Sequence, residues 1–329
     1  FMSFFAKMPL AQAPGMGLNA MVGAIIGGAF GYSFSYGNAM ALVFLSGIIF
    51  LILSFIPYKI DKENNKFISL REKILEGIPQ AIINSIAIGV GLFIAFIGLQ
   101  NAHIITNSEY TLVELVNFNN TSYWAPGGEA CMALVALIGL IMIGVLSHYK
   151  VPGAIVWGII ISTIAAIPLG VADLNILLGK NIGITWNTGQ AFLDYFNLSN
   201  KNSVFASLFN GGFIFPKGSI LTVIMLIISF FLIDLFDTMG TLIGCCKSAN
   251  LIDEQGKPIN YDKMMYADSA SSIAGCILGT STISTFVESS TGISAGGRTG
   301  LTSLTTAVLF LLSIFLLPIF AFIPSSSAA

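Results

Sequence analysis

Residues 280–300 read TSTISTFVESSTGISAGGRTG. They follow and precede apolar runs, yet they cannot continue as an ordinary spanning helix. Thr280 to Val287 is rich in β-branched residues, which favour extended backbone. Glu288 comes next, and a run of Ser, Thr, Gly and Ala then ends at Arg298. In lipid such a segment leaves backbone groups unpaired, so it must be covered by protein or line a polar cavity. The pattern predicts an extended piece feeding a half-helix, with Glu288 at the junction, as in the discontinuous helices that build transporter sites near the midplane.

The composition around this stretch is that of a polytopic membrane protein. Of 329 residues, 55% are hydrophobic and 9% charged, against about 25% charged in soluble domains. The net charge of −2 argues against nucleic-acid binding, which needs a basic face. Cys131, Cys245, Cys246 and Cys276 lack metal-ligand spacing and read as small hydrophobes, and no metal site is expected. The apolar runs cut at Phe1 and at Ile323–Ala329 lead us to expect a fragment of a longer protein.

Ala11 to Tyr32 repeats the interrupted plan. Pro14 suits the first turn of a helix, so Met8 to Ala13 reads as an extended piece and Pro14 onward as a half-helix with Asn19 facing inward. Paired interruptions of this kind point to an inverted repeat. Plain spans are expected at 39–56, 81–100, 130–146, 151–171, 220–243 and 301–317, with a short one at 266–278. Five basic residues, Lys59, Lys62, Lys66, Arg71 and Lys73, place the 58–79 loop in the cytoplasm, with a surface helix at 70–77. Residues 101–128 hold no Lys or Arg and fall outside. Counting onward puts Lys150, Lys247, Lys257, Lys263 and Arg298 inside, and the long 173–216 loop outside.

Charges at membrane depth carry the functional reading. Asp234, Asp237 and Thr241, with Thr238 beside them, form a polar stripe on the 220–243 helix. A carboxylate at the bilayer centre costs about 2.5–3.5 kcal/mol on insertion scales. Asp237 and Glu288 therefore need a partner, a proton or a water-filled cavity, and substrate or ion handling accounts for them better than a structural bridge. Asp234, a turn further out, is equally compatible with the exterior interface. Asp268 and Arg298 read as a structural ion pair, and Glu129 as an interfacial residue at a helix start. His103 and His148 sit at helix ends. Gly15-x-Gly17-x-x-Ala20 imitates a dinucleotide fingerprint and Gly292–Thr299 a P-loop, but neither lies in the required β–α setting.

Four stretches in order, APGMGLNA (Ala13–Ala20), GVGLFIAFIGLQNA (Gly89–Ala102), FDTMGTLIG (Phe236–Gly244) and TFVESSTGISAGGRTGLTS (Thr285–Ser303), resemble the AzgA-like purine permeases. These hypoxanthine/guanine/adenine carriers belong to the nucleobase–cation symporter-2 (xanthine/uracil/ascorbate permease) superfamily. The resemblance implies an all-α inverted-repeat transporter of about fourteen segments in two repeats, of which this chain covers roughly the third to the eleventh. Residues 1–57 and 217–317 then correspond to the core part and 80–172 to the gate part. Asp237 resembles the acidic residue of the eighth segment, Glu288 that of the tenth, and Asn19 a polar residue of the third. Val287 and Ser289 would offer backbone groups to the base, and Thr241 shares the Asp237 stripe. The 172–216 connection is longer than the family pattern.

The activity so implied is purine import by proton symport through a plasma (inner) membrane, with Glu288 and Asp237 as proton-coupling groups. No cofactor and no enzymatic activity are expected. A homodimer is compatible with this reading, and sodium coupling or a small-anion carrier of the same fold is the alternative. An intramembrane hydrolase would need a nucleophile–base or metal constellation, which neither the histidines nor the motifs provide.

Overall fold

The computed structural model describes residues 1–61, 66–69, 80–108, 111–151, 153–177, 188–197, 204–253 and 258–329. After one π-helical turn (Met2–Ala6) come β1 (Gln12–Pro14), α1 (Met16–Ile26) and α2 (Tyr36–Phe55). A hairpin of β2 (Pro57–Asp61) and β3 (Lys66–Ser69) precedes α3 (Gln80–Asn101), and a second hairpin, β4 (Ile105–Ser108) with β5 (Leu112–Leu115), follows it. Next are α4 (Glu129–His148), α5 (Ala154–Ala166) and the short α6 (Leu174–Leu177) and α7 (Thr188–Phe196). The chain continues with α8 (Ile220–Ser248), α9 (Tyr261–Ile277), β6 (Ile283–Thr285) and α10 (Ser289–Ser294). It closes with α11 (Gly300–Ser313), α12 (Leu317–Phe322) and α13 (Ser325–Ala328).

The expected all-α architecture with two interrupted segments is present. Both carry the short extended piece, β1 before α1 and β6 before α10. Four stretches among the described residues are long and apolar enough to cross a membrane: Tyr36–Phe55, Glu129–His148, Ile220–Ser248 and Gly300–Phe322. The 58–79 region is more structured than a loop, since β2 and β3 pair there; the surface helix expected at 70–77 lies outside the described residues. The span expected at 151–171 is helical only over Ala154–Ala166. Pro168, which has no N–H to donate, and Gly170, at φ 68°, turn the chain out of the helix. The helix expected from Tyr266 begins at Tyr261, after Asn260 in a left-handed conformation.

The chain divides into two compact units. One comprises Phe1–Ile88 and Gly189–Leu311. Its α2 starts at a capping box: the Ser35 hydroxyl accepts from the Asn38 N–H (3.1 Å) and Asn38 Oδ1 accepts from the Ser35 N–H (3.0 Å). The Asn38 amide then donates to the carbonyls of Gly212 (2.7 Å) and Ile214 (2.9 Å), tying the connection before α8 to α2. α2 packs on α9 and α8. Small residues in α9 permit that approach; Gly47 of α2 lies against Ile273.

Two apolar clusters form the core of this unit. One gathers Met2, Leu10, Phe50, Leu235, Met239, Leu242, Met264 and Ile293. The other gathers Leu18, Ile25, Met40, Leu42, Leu208, Val223 and Phe230. A set of buried polar residues is left over from both: Asp234, Thr238, Thr241, Asp268, Ser272, Ser281, Thr282, Ser284 and Thr285. They come from α8, α9 and the strand region.

The second unit comprises Gly89–Thr188 and Leu312–Ala329. Its α4 and α5 pack as an antiparallel pair, and Val135, Ala166 and Ala172 form a small core with Phe322 against it. Glu129 occupies the first turn of α4, where a carboxylate suits the helix dipole.

Candidate functional site

β1 and β6 solve the problem posed by broken helices at membrane depth. They run antiparallel, with Gln12 opposite Thr285, Ala13 opposite Ser284 and Pro14 opposite Ile283. The Phe286 N–H donates to Ala11 O (3.0 Å) and the Gly15 N–H to Thr282 O (3.3 Å), so the pairing extends beyond both strand ends. Each interrupted segment thereby satisfies the other's backbone, which water cannot do in lipid. Pro14, without an N–H, stands at the end of its strand.

Strand alternation divides the side chains of β6 between two neighbours. Ile283 and Thr285 face α9: Ile283 reaches Gly275, its carbonyl accepts from Ser272 Oγ (2.7 Å), and Thr285 Oγ1 approaches Asp268 Oδ1 (3.4 Å). Ser284 points the other way, to the Asp237 carboxylate of α8. Asp237 is half-buried. Glu288 follows four residues after Ser284 and directly after Val287, whose carbonyl faces Cys245 of the same α8 helix at 3.7 Å, so both acids lie along the β6–α8 contact. Glu288 is the residue before α10 and is exposed.

The other expected site residues take distinct positions. Asn19 lies one turn into α1, and its Oδ1 accepts from the Ser281 hydroxyl (2.5 Å), linking α1 to the segment before β6. Val287 is exposed; its carbonyl accepts from the Ser290 N–H (2.9 Å) and faces the Cys245 thiol (3.7 Å). Ser289 does not offer a free N–H, because that group donates to Phe286 O (3.2 Å), and its hydroxyl accepts from the Ala11 N–H (3.0 Å). Thr241 is buried a turn from Asp237, and its hydroxyl has no partner among the described residues; Thr282 is in the same condition.

Two expectations need correction. Asp268 and Arg298 do not pair: Arg298 is exposed and donates to the carbonyls of Ile293 and Gly297 at the end of α10. Asp268 is wholly buried and accepts from Gln12 Nε2 (3.1 Å), Thr238 Oγ1 (2.9 Å) and Thr285 Oγ1. Donors from β1, α8 and β6 occupy Asp268, and helix-end carbonyls satisfy the arginine. Asp234, for its part, is buried within the protein rather than exposed.

The profile of the Permease family, Xan_ur_permease, matches residues 1–327. The chain belongs to that family. It is 34% identical over 328 residues to a putative permease of Methanocaldococcus jannaschii, covering 100% of this chain and 65% of that protein. It is 34% identical over 319 residues to the guanine/hypoxanthine permease PbuO of Bacillus subtilis (97% and 64% covered). It is 32% identical over 329 residues to the adenine permease AdeP of Escherichia coli (100% and 63%). The chain thus spans 63–65% of the length of these three relatives. The transmembrane domain of a cyanobacterial bicarbonate transporter, BicA, superposes with a TM-score of 0.60 at 14% identity, over 99% of this chain and 75% of that one. This likeness speaks to the fold alone.

As a member of this permease family the protein is a multi-pass protein of the plasma membrane, and the named relatives are permeases. Sequence reasoning did not identify Gln12, Gly15, Ser281 and Ser284 as parts of this site. The alternation of TSTIST held the signal for Ser284, since residues 283 and 285 on one face leave 284 for the other.

Proposed function

We propose that the complete protein imports purine nucleobases, hypoxanthine or guanine and also adenine, by proton symport. The observation that carries this reading is the gathering of Asp237 and Glu288 beside the β1–β6 crossing. A purine edge presents ring N–H donors next to carbonyl or ring-nitrogen acceptors. The two carboxylates accept from the donors, and the first N–H groups of α1, which a helix leaves without intrahelical partners, meet the acceptors. A base lacking a matching group leaves buried polar atoms unpaired and is rejected. Asn19, Val287 and Thr241 line the same region, while Ser289 holds β1 in place. The names of the guanine/hypoxanthine and adenine relatives fit this substrate class.

In the cycle, one carboxyl of the Asp237–Glu288 pair takes a proton as the base loads from outside and gives it up inside. A membrane potential of about 100 mV contributes about 2.3 kcal/mol per charge, or roughly fiftyfold accumulation. The first unit, carrying the strand crossing, acts as the core, and the second as the gate. Uptake of radiolabelled hypoxanthine and guanine by the full-length protein tests the reading. Glu288→Gln is expected to abolish uptake at normal expression, and normal uptake by that variant refutes the role. Uptake that ignores an imposed pH gradient but needs sodium rejects the proton and favours the sodium-coupled alternative.

A further inference from the structure

Gly15, between β1 and α1, is not required by its own backbone. Its φ of −66° and ψ of 133° lie in the extended region open to any residue. Space is the reason for glycine here. A Cβ built on Gly15 would stand 3.0 Å from Ser284 Oγ, 3.5 Å from Leu18 Cδ1 and 3.8 Å from Asp237 Oδ2. The residue cannot withdraw, because its N–H is held by Thr282 O (3.3 Å) and its carbonyl accepts from the Asn19 N–H (2.9 Å). Ser284 and Leu18 are both buried and packed. A donor nitrogen bound to a carboxylate must come within about 2.7–2.9 Å of the oxygen. A Gly15 methyl at 3.8 Å would stand in van der Waals contact with the same oxygen and crowd its α1 side.

We propose that Gly15 is a specificity-determining residue: its missing side chain keeps open the approach along which the edge of a flat double-ring base reaches Asp237. The inference rests on the transport reading above and adds to it the group that sets how wide the site is on its α1 side. Side-chain volume at position 15 then limits the base, while Asp237 and Glu288 supply the hydrogen bonds.

The test is equilibrium binding of radiolabelled hypoxanthine to the purified full-length protein, together with its thermal unfolding. Wild type is compared with Gly15→Ala, Gly15→Val, Ser284→Ala and the double variant Gly15→Ala/Ser284→Ala. Expected is an affinity loss of about tenfold or more for Ala and a larger one for Val, of the size a mismatched methylene produces in a binding pocket. The melting temperature of Gly15→Ala is expected to fall by what the tight contact with Ser284 Oγ costs, and to recover in the double variant while the affinity loss does not. The double variant removes the hydroxyl that the methyl meets at 3.0 Å; measured against Ser284→Ala alone, which loses the same contact to Asp237, it is expected to keep the loss, and this pair is read in place of the single variant should that one fail to fold. Wild-type affinity in Gly15→Ala, or full recovery of affinity in the double variant, overturns the assignment of Gly15. A wild-type protein that binds no purine overturns the transport reading and this inference with it.

Discussion

The side-chain amide of Gln12 lies 3.1 Å from Oδ1 of Asp268, across 256 positions of sequence. Thr238, next to Asp237 on α8, donates to the other oxygen of the same carboxylate at 2.9 Å. Asp268 therefore joins α9 to β1 and to α8, and Thr285 brings in β6. Asp237 is aimed by its own helix, but the rotation of that helix against the strand crossing is fixed through Thr238 and Asp268.

Asp268→Asn turns one acceptor into a donor facing the Gln12 amide. A buried donor left without an acceptor costs about 1–3 kcal/mol, so a large fall in purine uptake is expected in the full-length protein. Gln12→Glu added to Asp268→Asn restores a donor–acceptor match, with the new amide donating to Glu at position 12 and still accepting from Thr238. Uptake assays should show partial recovery in the double variant. Recovery absent while both variants fold would mean that the charge must sit at position 268 itself.

The interrupted segments were legible because β-branched residues, Gly and Pro leave local marks at 280–287 and 13–17. The extended piece before Glu288 and the Glu288 junction are where that chemistry puts them, whereas Pro14, expected in the first turn of a half-helix, ends β1 and α1 starts at Met16; a residue without an N–H suits a strand end as well as a helix start. The pairing of β1 with β6 was not legible, since nothing local links residues so far apart. Asp268 illustrates the same limit. Its charge and depth called for a partner, and Arg298, at the corresponding end of a neighbouring segment, was the cation the sequence suggested, whereas the amide and hydroxyls that satisfy it come from three other elements. The helix ends at Tyr261 and Ala166 moved for local reasons, a left-handed Asn260 and the Pro168–Gly170 turn.

Gly275 tests how tightly β6 is seated on α9. A Cβ there would lie 2.7 Å from Ile283 Cδ1 and 3.1 Å from Thr280 Cγ2. Overpacking of this kind costs about 1–3 kcal/mol, so Gly275→Ala should lower the melting temperature of the purified protein. Ile283→Val removes Cδ1 and is expected to return part of the loss. Equal melting temperatures for Gly275→Ala and wild type would show that β6 gives way freely.

Asn38 serves both the capping box of α2 and two carbonyls of the connection before α8. Asn38→Asp keeps the cap but loses the donors, leaving the Gly212 and Ile214 carbonyls facing a carboxylate. Asn38→Ser keeps a small polar group without the reach. Each should destabilise by about 1–3 kcal/mol, with Asp the worse because a like-signed group is buried beside the carbonyls. Thermal unfolding of the two variants ranks them, and a more stable Asp variant would show that the cap outweighs the tie.

Thr241 separates stability from transport. Its hydroxyl is buried a turn from Asp237 and lacks a partner among the described residues. A buried hydroxyl without a hydrogen bond destabilises the empty protein, and an apolar group of the same shape can be neutral or stabilising there. Thr241→Val should accordingly match or raise the melting temperature measured without substrate. If the hydroxyl turns to the base on loading, the same substitution raises KM for hypoxanthine by about threefold to tenfold, the loss of one hydrogen bond of roughly 0.5–1.5 kcal/mol. A variant that melts later and transports with unchanged KM would remove Thr241 from the site, since its only effect would then be on packing.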